Sequence, residues 1–262
     1  MLFKLLKYDF RAMWKQFSLI WGAALALALV NRFTMFRDLD DNLFTNSELF
    51  MLAFIGVIVA MFVIAVIFVI NRFSQGLLGN EGYLMHTLPV KPWQLIASKL
   101  FTAVLATMVN VLVAVGSILL VAPMGWQDLL DLFSILGQIF AHWNIQATHA
   151  AVGAVEILLL MITSFAVGYL ELYLAMAVGH LFSKNRAAMS FVAFIGINVA
   201  FSALSNLVLP VIGDAISPLV NGFHGAAAFH AALWLSIAGE AVVSVLYFAG
   251  TEYILRRRLN LE

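Results

Sequence analysis

Long apolar runs dominate the chain, and short polar segments separate them. Six runs contain almost no charged residue, and a helix that crosses the hydrocarbon core of a bilayer takes about 20 such residues. The runs cover residues 17–30, 49–70, 100–121, 152–178, 188–209 and 231–255, of which the first is the shortest. They are too long and too continuous for the strands of a membrane barrel, which alternate over about ten residues. The pattern therefore predicts an all-α polytopic membrane protein with six transmembrane helices.

The composition supports this prediction. Hydrophobic residues make up 63% of the 262 residues and charged residues only 11%, whereas a soluble domain has about 45–50% and about 25%. The length accommodates six spans with short loops and leaves no room for a second folded domain. We therefore expect a single transmembrane domain over 1–262. The amino end has no pattern of a cleavable signal peptide, and we expect it to remain in the mature protein.

The Lys and Arg residues are distributed unevenly among the segments that connect the spans. Twelve of the 14 lie in the alternate segments that include both chain ends, and only Arg32 and Arg37 lie in the other set. Positive residues near span ends are retained on the cytoplasmic side. Both termini are therefore predicted to be cytoplasmic, and an even number of spans agrees with this N-in and C-in orientation.

Three segments outside the spans have amphipathic or broken patterns. Residues 1–16 place apolar side chains on one face and four cations on the other, which predicts a helix in the membrane interface or, as the alternative, a simple topological anchor. Residues 123–150 predict an external amphipathic helix with tryptophans at headgroup level, and a lateral gate over the exit is the alternative. Residues 210–230 are apolar but interrupted by proline and glycine, which predicts an external re-entrant segment.

The predicted cytoplasmic loop 71–99 is longer than a turn between spans requires. Glycines and prolines punctuate it, and between them a short, half-apolar helix is predicted. We interpret this helix as a cytoplasmic docking surface, and the alternative is that its apolar side chains lie on the bilayer. The glycines do not form a nucleotide-binding motif, because no strand precedes them and no Lys or Ser/Thr follows as phosphate binding requires.

The string NEGYLMHTLPVKPWQLIASKL, residues 80–100, resembles the segment between the second and third spans of small bacterial ABC exporter permeases of the ABC type 2 class. The order of the elements is also similar, with an interfacial helix, six spans and a loop after the second span. A weaker similarity is GHLFSKNRAAMS, residues 179–190, which looks like the loop between spans four and five of the same permeases.

The resemblance implies a permease of the bacterial cell membrane that exports an amphiphilic substrate, such as a peptide, a drug-like molecule or a lipid-linked molecule. It implies a second permease subunit, identical or paralogous, and two ABC ATPase subunits on the cytoplasmic side, which would bind ATP and Mg. The resemblance also implies a coupling helix that rests in a cleft of the ATPase. The residues of this helix would be Glu81, Tyr83, Leu84, His86, Thr87, Leu88 and Pro89. The chain itself has no GxxxxGK[ST] motif, and we expect neither enzyme activity nor a cofactor in it.

Two carboxylates, Glu171 and Glu240, lie well inside spans four and six, where an acidic residue costs about 2.5–3.5 kcal/mol. No Lys or Arg lies within a span to pair with them. One interpretation makes them a polar wall of the translocation path or a proton site. The other is a hydrogen bond that supports folding, with partners such as Tyr169, Tyr173, Asn198 or Tyr247.

Other classes of function have little support. The 14 Lys and Arg are balanced by 14 Asp and Glu, so no basic excess favours binding to nucleic acid. The sequence contains no Cys, which excludes disulfides, thiolate nucleophiles and Cys-based metal sites. The external His residues have poor spacing for a metal site, and no hydrolase motif occurs. The main rival function is a proton-coupled secondary transporter that uses Glu171 and Glu240, although no inverted repeat is evident. A third reading is a scaffold or sensor subunit without transport activity.

Overall fold

The computed structural model describes residues 2–35, 46–78, 91–121, 131, 134–135, 138, 147–182, 184–220, 222 and 225–257. The described residues are almost entirely helical and include no strand, which confirms the predicted fold class. The helices are α1 (Leu2–Met35), α2 (Asn46–Phe73), α3 (Pro92–Val121), α4 (Ala147–Gly179), α5 (Arg186–Val220) and α6 (Ala226–Arg257). A π-helical turn, Ser74–Leu78, extends α2. Within the described ranges, six helices are long and apolar enough to cross a membrane, as the sequence predicts.

Helix α1 joins two elements that the sequence treats separately. It is one helix of 34 residues that includes nearly all of the predicted interfacial segment 1–16 and the first apolar run. Residues 2–21 contain neither glycine nor proline, so nothing interrupts the backbone hydrogen bonds between the two parts. The position of residues 1–16 in a membrane interface stays a prediction, as does the orientation of the chain.

Helix α5 extends further than its apolar run. The sequence predicts a broken segment at 210–230, but α5 continues to Val220 with Pro210 and Pro218 inside it. A proline lacks the N–H that would bond to the carbonyl four residues earlier. The hydroxyl of Ser217 donates to the Asp214 carbonyl at 3.0 Å, so this carbonyl has a donor in place of the N–H that Pro218 lacks. Because α5 continues through Pro210, the break expected at this residue is not present. A re-entrant position of 210–230 in the membrane stays a prediction.

Two other predicted segments are described only in part. The structure gives the two ends of the loop 71–99, and residues 79–90 lie outside the described residues. Of the predicted external helix 123–150, four isolated residues before α4 are helical and exposed: Asp131, Ser134, Ile135 and Gln138. The last part of that segment belongs to α4, which begins at Ala147.

The chain divides into two compact units, each described here by itself. Unit 1 comprises Met1–Arg72 and Ala97–Asp131, and it contains α1, α2 and most of α3. One buried cluster of unit 1 consists of Met13, Phe17, Trp21, Met61, Ala65, Ala106 and Ala114. This cluster packs the three helices together through apolar side chains. The single transmembrane domain stays a prediction.

Unit 2 comprises Phe73–Ile96 and Leu132–Glu262, and in it α4 packs against both α5 and α6. The connection from α4 to α5 is short and tight. Asn185 has a φ of 55°, a left-handed conformation that Asn tolerates better than most residues, and α5 starts directly after it. Gly179 ends α4 so close to α5 that a Cβ on it would lie 2.6 Å from the Cα of Ser190. The short connection keeps α4 and α5 in contact at this end.

Candidate functional site

Polar side chains recur along α4 at intervals of seven or eight residues. They are Glu156, the pair Thr163 and Ser164, and Glu171. Two turns of an α-helix take about seven residues and about 11 Å, so the four side chains lie on one stripe of the helix at three levels. Because α4 packs against α5 and α6, we call this set the α4 polar stripe and describe its partners level by level.

At the middle level, the stripe holds the carboxylate of Glu240 from α6. The hydroxyl of Ser164 donates to Glu240 Oε1 at 2.5 Å, and that of Thr163 contacts Oε2. The Thr163 hydroxyl also lies 2.9 Å from the Leu160 carbonyl, and a hydroxyl has one proton to donate. The pairing joins α4 to α6 at a position where the sequence predicts only an isolated carboxylate.

At the next level, Glu171 lies among all three helices of unit 2. The side-chain amide of Asn198 on α5 donates to Glu171 Oε1, and its second N–H reaches the Phe194 carbonyl at 3.0 Å. Tyr247 on α6 lies close enough for its hydroxyl to interact electrostatically with the Glu171 carboxylate. This contact agrees with the interpretation in which the deep carboxylates accept hydrogen bonds that support folding, for which Asn198 is one of the possible partners.

The third level is one that sequence reasoning missed. Glu156 is buried, with only 4% of it exposed. Its carboxylate is 2.5 Å from Nδ1 of His230 and accepts a hydrogen bond from the Trp234 indole N–H at 2.8 Å. The ring of His149 lies 5.4 Å from that of His230. The available signal was the spacing: Glu156 is seven residues before Thr163, and His230 and Trp234 are one turn apart on α6.

The charge balance around the two deep carboxylates is unusual. The chain has no Lys or Arg between Lys99 and Lys184, nor between Arg186 and Arg256. In the described residues, the hydrogen bonds seen at Glu171 and Glu240 accordingly come from neutral donors. A carboxylate held by neutral hydroxyl or amide donors keeps its charge available, whereas a permanent ion pair would neutralise it. The neutral donors therefore favour the interpretation as a polar wall or a proton site over a permanent ion pair.

Exposure and chemistry narrow what this site can do. Both deep carboxylates are half-buried, while Ser164 and Asn198 are exposed, so part of the α4 polar stripe is accessible on the surface of unit 2. The described residues contain no group of three His, Asp or Glu side chains that could hold a metal ion. The accessible hydroxyl and amide groups of this arrangement can contact a polar group.

The predicted coupling residues Glu81, Tyr83, Leu84, His86, Thr87, Leu88 and Pro89 all lie outside the described residues. The start of their loop is described. The ring of Phe73, the last residue of α2, stacks on Tyr173 of α4 with a centroid distance of 4.0 Å and an interplanar angle of 9°. Both side chains are buried. Since Tyr173 is two residues from Glu171, the start of the loop is packed on the helix that carries the polar stripe.

A second polar contact that the sequence did not predict lies in unit 1. The carboxylate of Asp9 on α1 is 5% exposed and accepts hydrogen bonds from the Arg72 guanidinium of α2 at 2.7 and 3.0 Å. The hydroxyl of Ser98 on α3 is 3.4 Å from the other carboxylate oxygen. From sequence, Arg72 counts only toward the orientation of the chain. In the structure, its pairing with Asp9 ties α1 to the end of α2.

Comparisons with protein-family models, with curated proteins and with solved structures find no match to this chain. The family resemblance consequently rests on residues 80–100 and on the order of the helices. Any role for the α4 polar stripe rests on the contacts just described.

Proposed function

We propose that the chain is the membrane-spanning permease subunit of an ATP-driven ABC exporter in a bacterial cell membrane. It carries an amphiphilic substrate outward and works with a second permease subunit and two separate ATPase subunits, which bind ATP and Mg. Both of its termini are cytoplasmic. The chain itself performs no chemistry on the substrate.

The observation that carries the proposal is the phrase EGYLMHTLPVKPWQL within residues 80–100 together with its place between two membrane-length helices. Helix α2 ends at Phe73 just before this phrase, and α3 begins at Pro92 inside it. A loop between two spans can act on both of them at once. The phrase resembles the coupling segment of ABC type 2 permeases at the same point in the order of elements.

In the proposed mechanism, ATP binding draws the two ATPase subunits together and displaces the coupling helix that contains Glu81 and Leu88. The displacement shifts the spans between inward-open and outward-open arrangements. The stacked rings of Phe73 and Tyr173 support this mechanism, because they connect the start of the loop to α4 through a fully packed contact. A rigid contact of this kind transmits movement better than a solvated one.

The two deep carboxylates have a place in this proposal as part of the translocation path. Glu171 and Glu240 are held by neutral donors on a stripe that remains partly exposed. A polar strip in an otherwise apolar wall gives an amphiphile a site for its polar group while its apolar part contacts the surrounding helices. Hydrogen bonds from α4 to Glu240 and from Asn198 of α5 to Glu171 fix the two carboxylates in position without neutralising them by a cation.

The test is co-purification. The tagged chain is extracted from its native membrane in mild detergent, and mass spectrometry identifies the proteins that accompany it. The same is done for Glu81→Ala and Leu88→Asp, with Asp131→Ala as the control, since Asp131 is an exposed carboxylate of a predicted external segment. We expect an ATPase to accompany the native chain and the control in equal amounts.

For Leu88→Asp, we expect the amount of ATPase to fall at least tenfold, because a charge then replaces an apolar contact of the coupling helix. For Glu81→Ala, ATPase should remain bound while ATP hydrolysis loses its dependence on substrate. A native chain that purifies in a stable form without any ATPase would contradict the exporter proposal. Equal losses in Asp131→Ala would contradict the location of the coupling helix.

A second candidate function, a proton-coupled secondary transporter, is favoured by one specific observation. Both oxygens of the Glu240 carboxylate contact hydroxyl groups, those of Ser164 and Thr163, and hydroxyl groups can relay protons. In that case, transport into vesicles should require a proton gradient and proceed without ATP. Glu240→Gln should abolish the response to the gradient, while Asp131→Asn, the matched control, should leave it unchanged. Transport that follows ATP and ignores an uncoupler excludes this candidate.

A further inference from the structure

Unit 1 contains a groove between α1 and α3 that neither the apolar core nor the α4 polar stripe explains. Its volume is about 270 Å³, and its lining residues are Leu6, Lys7, Phe10, Phe101, Thr102 and Leu105. Each helix contributes three of them with the same spacing, so the groove lies along the two helices. Phe10 and Phe101 are 43% and 59% exposed, which leaves the groove open to its surroundings.

Four of the six lining residues are apolar, and Lys7 and Thr102 are the polar ones. The hydroxyl of Thr102 donates to the Ser98 carbonyl at 2.9 Å, so its hydrogen-bonding capacity is used within α3. Lys7 is exposed and is the one cation among the lining residues that the structure describes. The groove therefore combines an apolar channel with one positive charge at its edge.

The surrounding charge is also positive. Arg11 lies one turn after Lys7 on α1 and is exposed as well. The nearest carboxylate in the sequence, Asp9, is buried and holds Arg72 at 2.7 Å, so it does not neutralise these two cations. An anionic group at the edge of the groove would meet the positive charge of Lys7, with that of Arg11 one turn further along α1, and a second cation would be repelled.

The size of the groove limits what can occupy it. A partner helix is about 10–12 Å across with its side chains, so it would pack over this groove rather than lie inside it. A flexible hydrocarbon chain is narrower and can follow the groove between Phe10 and Phe101. Helices α1 and α3 are long and apolar enough to cross a membrane, and in a membrane an open groove on them would be accessible to lipid.

We infer that the groove is a discrete binding site for one anionic phospholipid of the surrounding bilayer. An acyl chain lies between Phe10 and Phe101, and the headgroup phosphate contacts Lys7. This inference goes beyond the proposed export function and does not depend on it, because the site requires only that unit 1 is in a membrane. A basic residue near an anionic membrane surface contributes about 1 kcal/mol, equivalent to about a fivefold change in affinity.

The test measures lipid binding to the whole purified chain by native mass spectrometry. The detergent-solubilised protein is titrated with dioleoyl phosphatidylglycerol and, separately, with dioleoyl phosphatidylcholine. Lys7→Gln is compared with Lys15→Gln, which removes an exposed cation two turns further along α1 and outside the groove. We expect Lys7→Gln to weaken the first phosphatidylglycerol site about fivefold, and Lys15→Gln to change it by less than twofold.

A second pair of variants tests the apolar part of the site. Leu105→Trp fills the groove, whereas Leu112→Trp adds the same side chain at an exposed position of α3 that does not line it. The first should remove the tight phosphatidylglycerol site, and the second should keep it. Size-exclusion profiles and helical content confirm that each variant is folded, and the Lys pair decides alone if Leu105→Trp does not fold.

Two outcomes would overturn the inference. If Lys7→Gln and Lys15→Gln weaken binding equally, the lipid responds to the basic face of α1 as a whole and no discrete site exists. If phosphatidylglycerol and phosphatidylcholine bind the native chain with the same affinity, Lys7 does not recognise a headgroup charge.

Discussion

Breaking the contact between Asp9 and Arg72 should destabilise unit 1. The carboxylate is 5% exposed and accepts two N–H groups, at 2.7 and 3.0 Å, from one guanidinium. The side chain of Arg72 is 34% exposed, so solvent or headgroups still reach the cation when its partner is removed. We expect Asp9→Ala to cost about 2 kcal/mol. This value lies between the roughly 0–1 kcal/mol of an exposed pair and the roughly 3–5 kcal/mol lost when a fully buried pair is broken.

Thermal unfolding of the purified chain in detergent measures this cost. For a chain of about this length, 1 kcal/mol corresponds to roughly 2–4 °C in Tm, so Asp9→Ala should lower Tm by about 4–8 °C. Arg11→Ala is the control, because Arg11 is an exposed cation of the same helix and its loss should change stability by less than about 0.5 kcal/mol.

A double-mutant cycle shows whether the pair itself is responsible. Asp9→Ala, Arg72→Ala and the double variant should give a coupling energy of at least about 1 kcal/mol, since each single variant removes the same interaction. Additive effects, with a coupling energy below about 0.3 kcal/mol, would refute the reasoning. The pair would then make no measurable contribution to the stability of unit 1.

Three further predictions follow from other contacts. Gly179→Ala should destabilise the chain by about 1–3 kcal/mol because its Cβ would lie 2.5 Å from a backbone nitrogen of α5, whereas Gly168→Ala, with open space around it, should be neutral or slightly stabilising in thermal unfolding. Asn110→Leu should cost about 1–3 kcal/mol by thermal unfolding, because it leaves the buried Trp21 indole N–H, now 2.6 Å from the amide oxygen, without an acceptor; an unchanged Tm would contradict this. In the reconstituted complex of the proposed exporter, Tyr173→Ala should lower transport relative to ATP hydrolysis at least fivefold. Tyr173→Phe keeps the stacked ring and should leave this ratio unchanged. Equal effects of the two variants would exclude a role for the stacking.

The candidate site was partly predictable from the sequence. Glu171 and Glu240 stand out because carboxylates are rare inside apolar runs. Asn198 was among the partners expected for them, and it lies on the helix that follows that of Glu171 in the chain. The partners of Glu240 and Glu156 were not found, because hydroxyl and aromatic donors occur throughout the spans and have no distinctive spacing of their own. The seven-residue interval from Glu156 to Thr163 was the one usable signal, and it indicates a shared stripe of α4 without identifying the helix opposite.

The six membrane-length helices that the structure describes were predicted from the sequence alone. Burying apolar residues in a bilayer depends on the length and composition of each run, which are local properties, so six spans follow from the pattern without knowledge of their neighbours. Helix ends were less predictable: the uninterrupted α1 and the continuation of α5 past Pro210 depend on backbone hydrogen bonds that hydropathy does not report.

Only the tertiary structure decided which polar groups meet. Asp9 with Arg72 and Glu156 with His230 are far apart in the chain, and each pair forms because two helices pack with a particular rotation and register. The sequence places apolar residues on most faces of these helices, so hydrophobicity alone does not select one rotation. Close packing and the need to satisfy each buried polar group select it, and both are properties of the assembled helices rather than of any single segment.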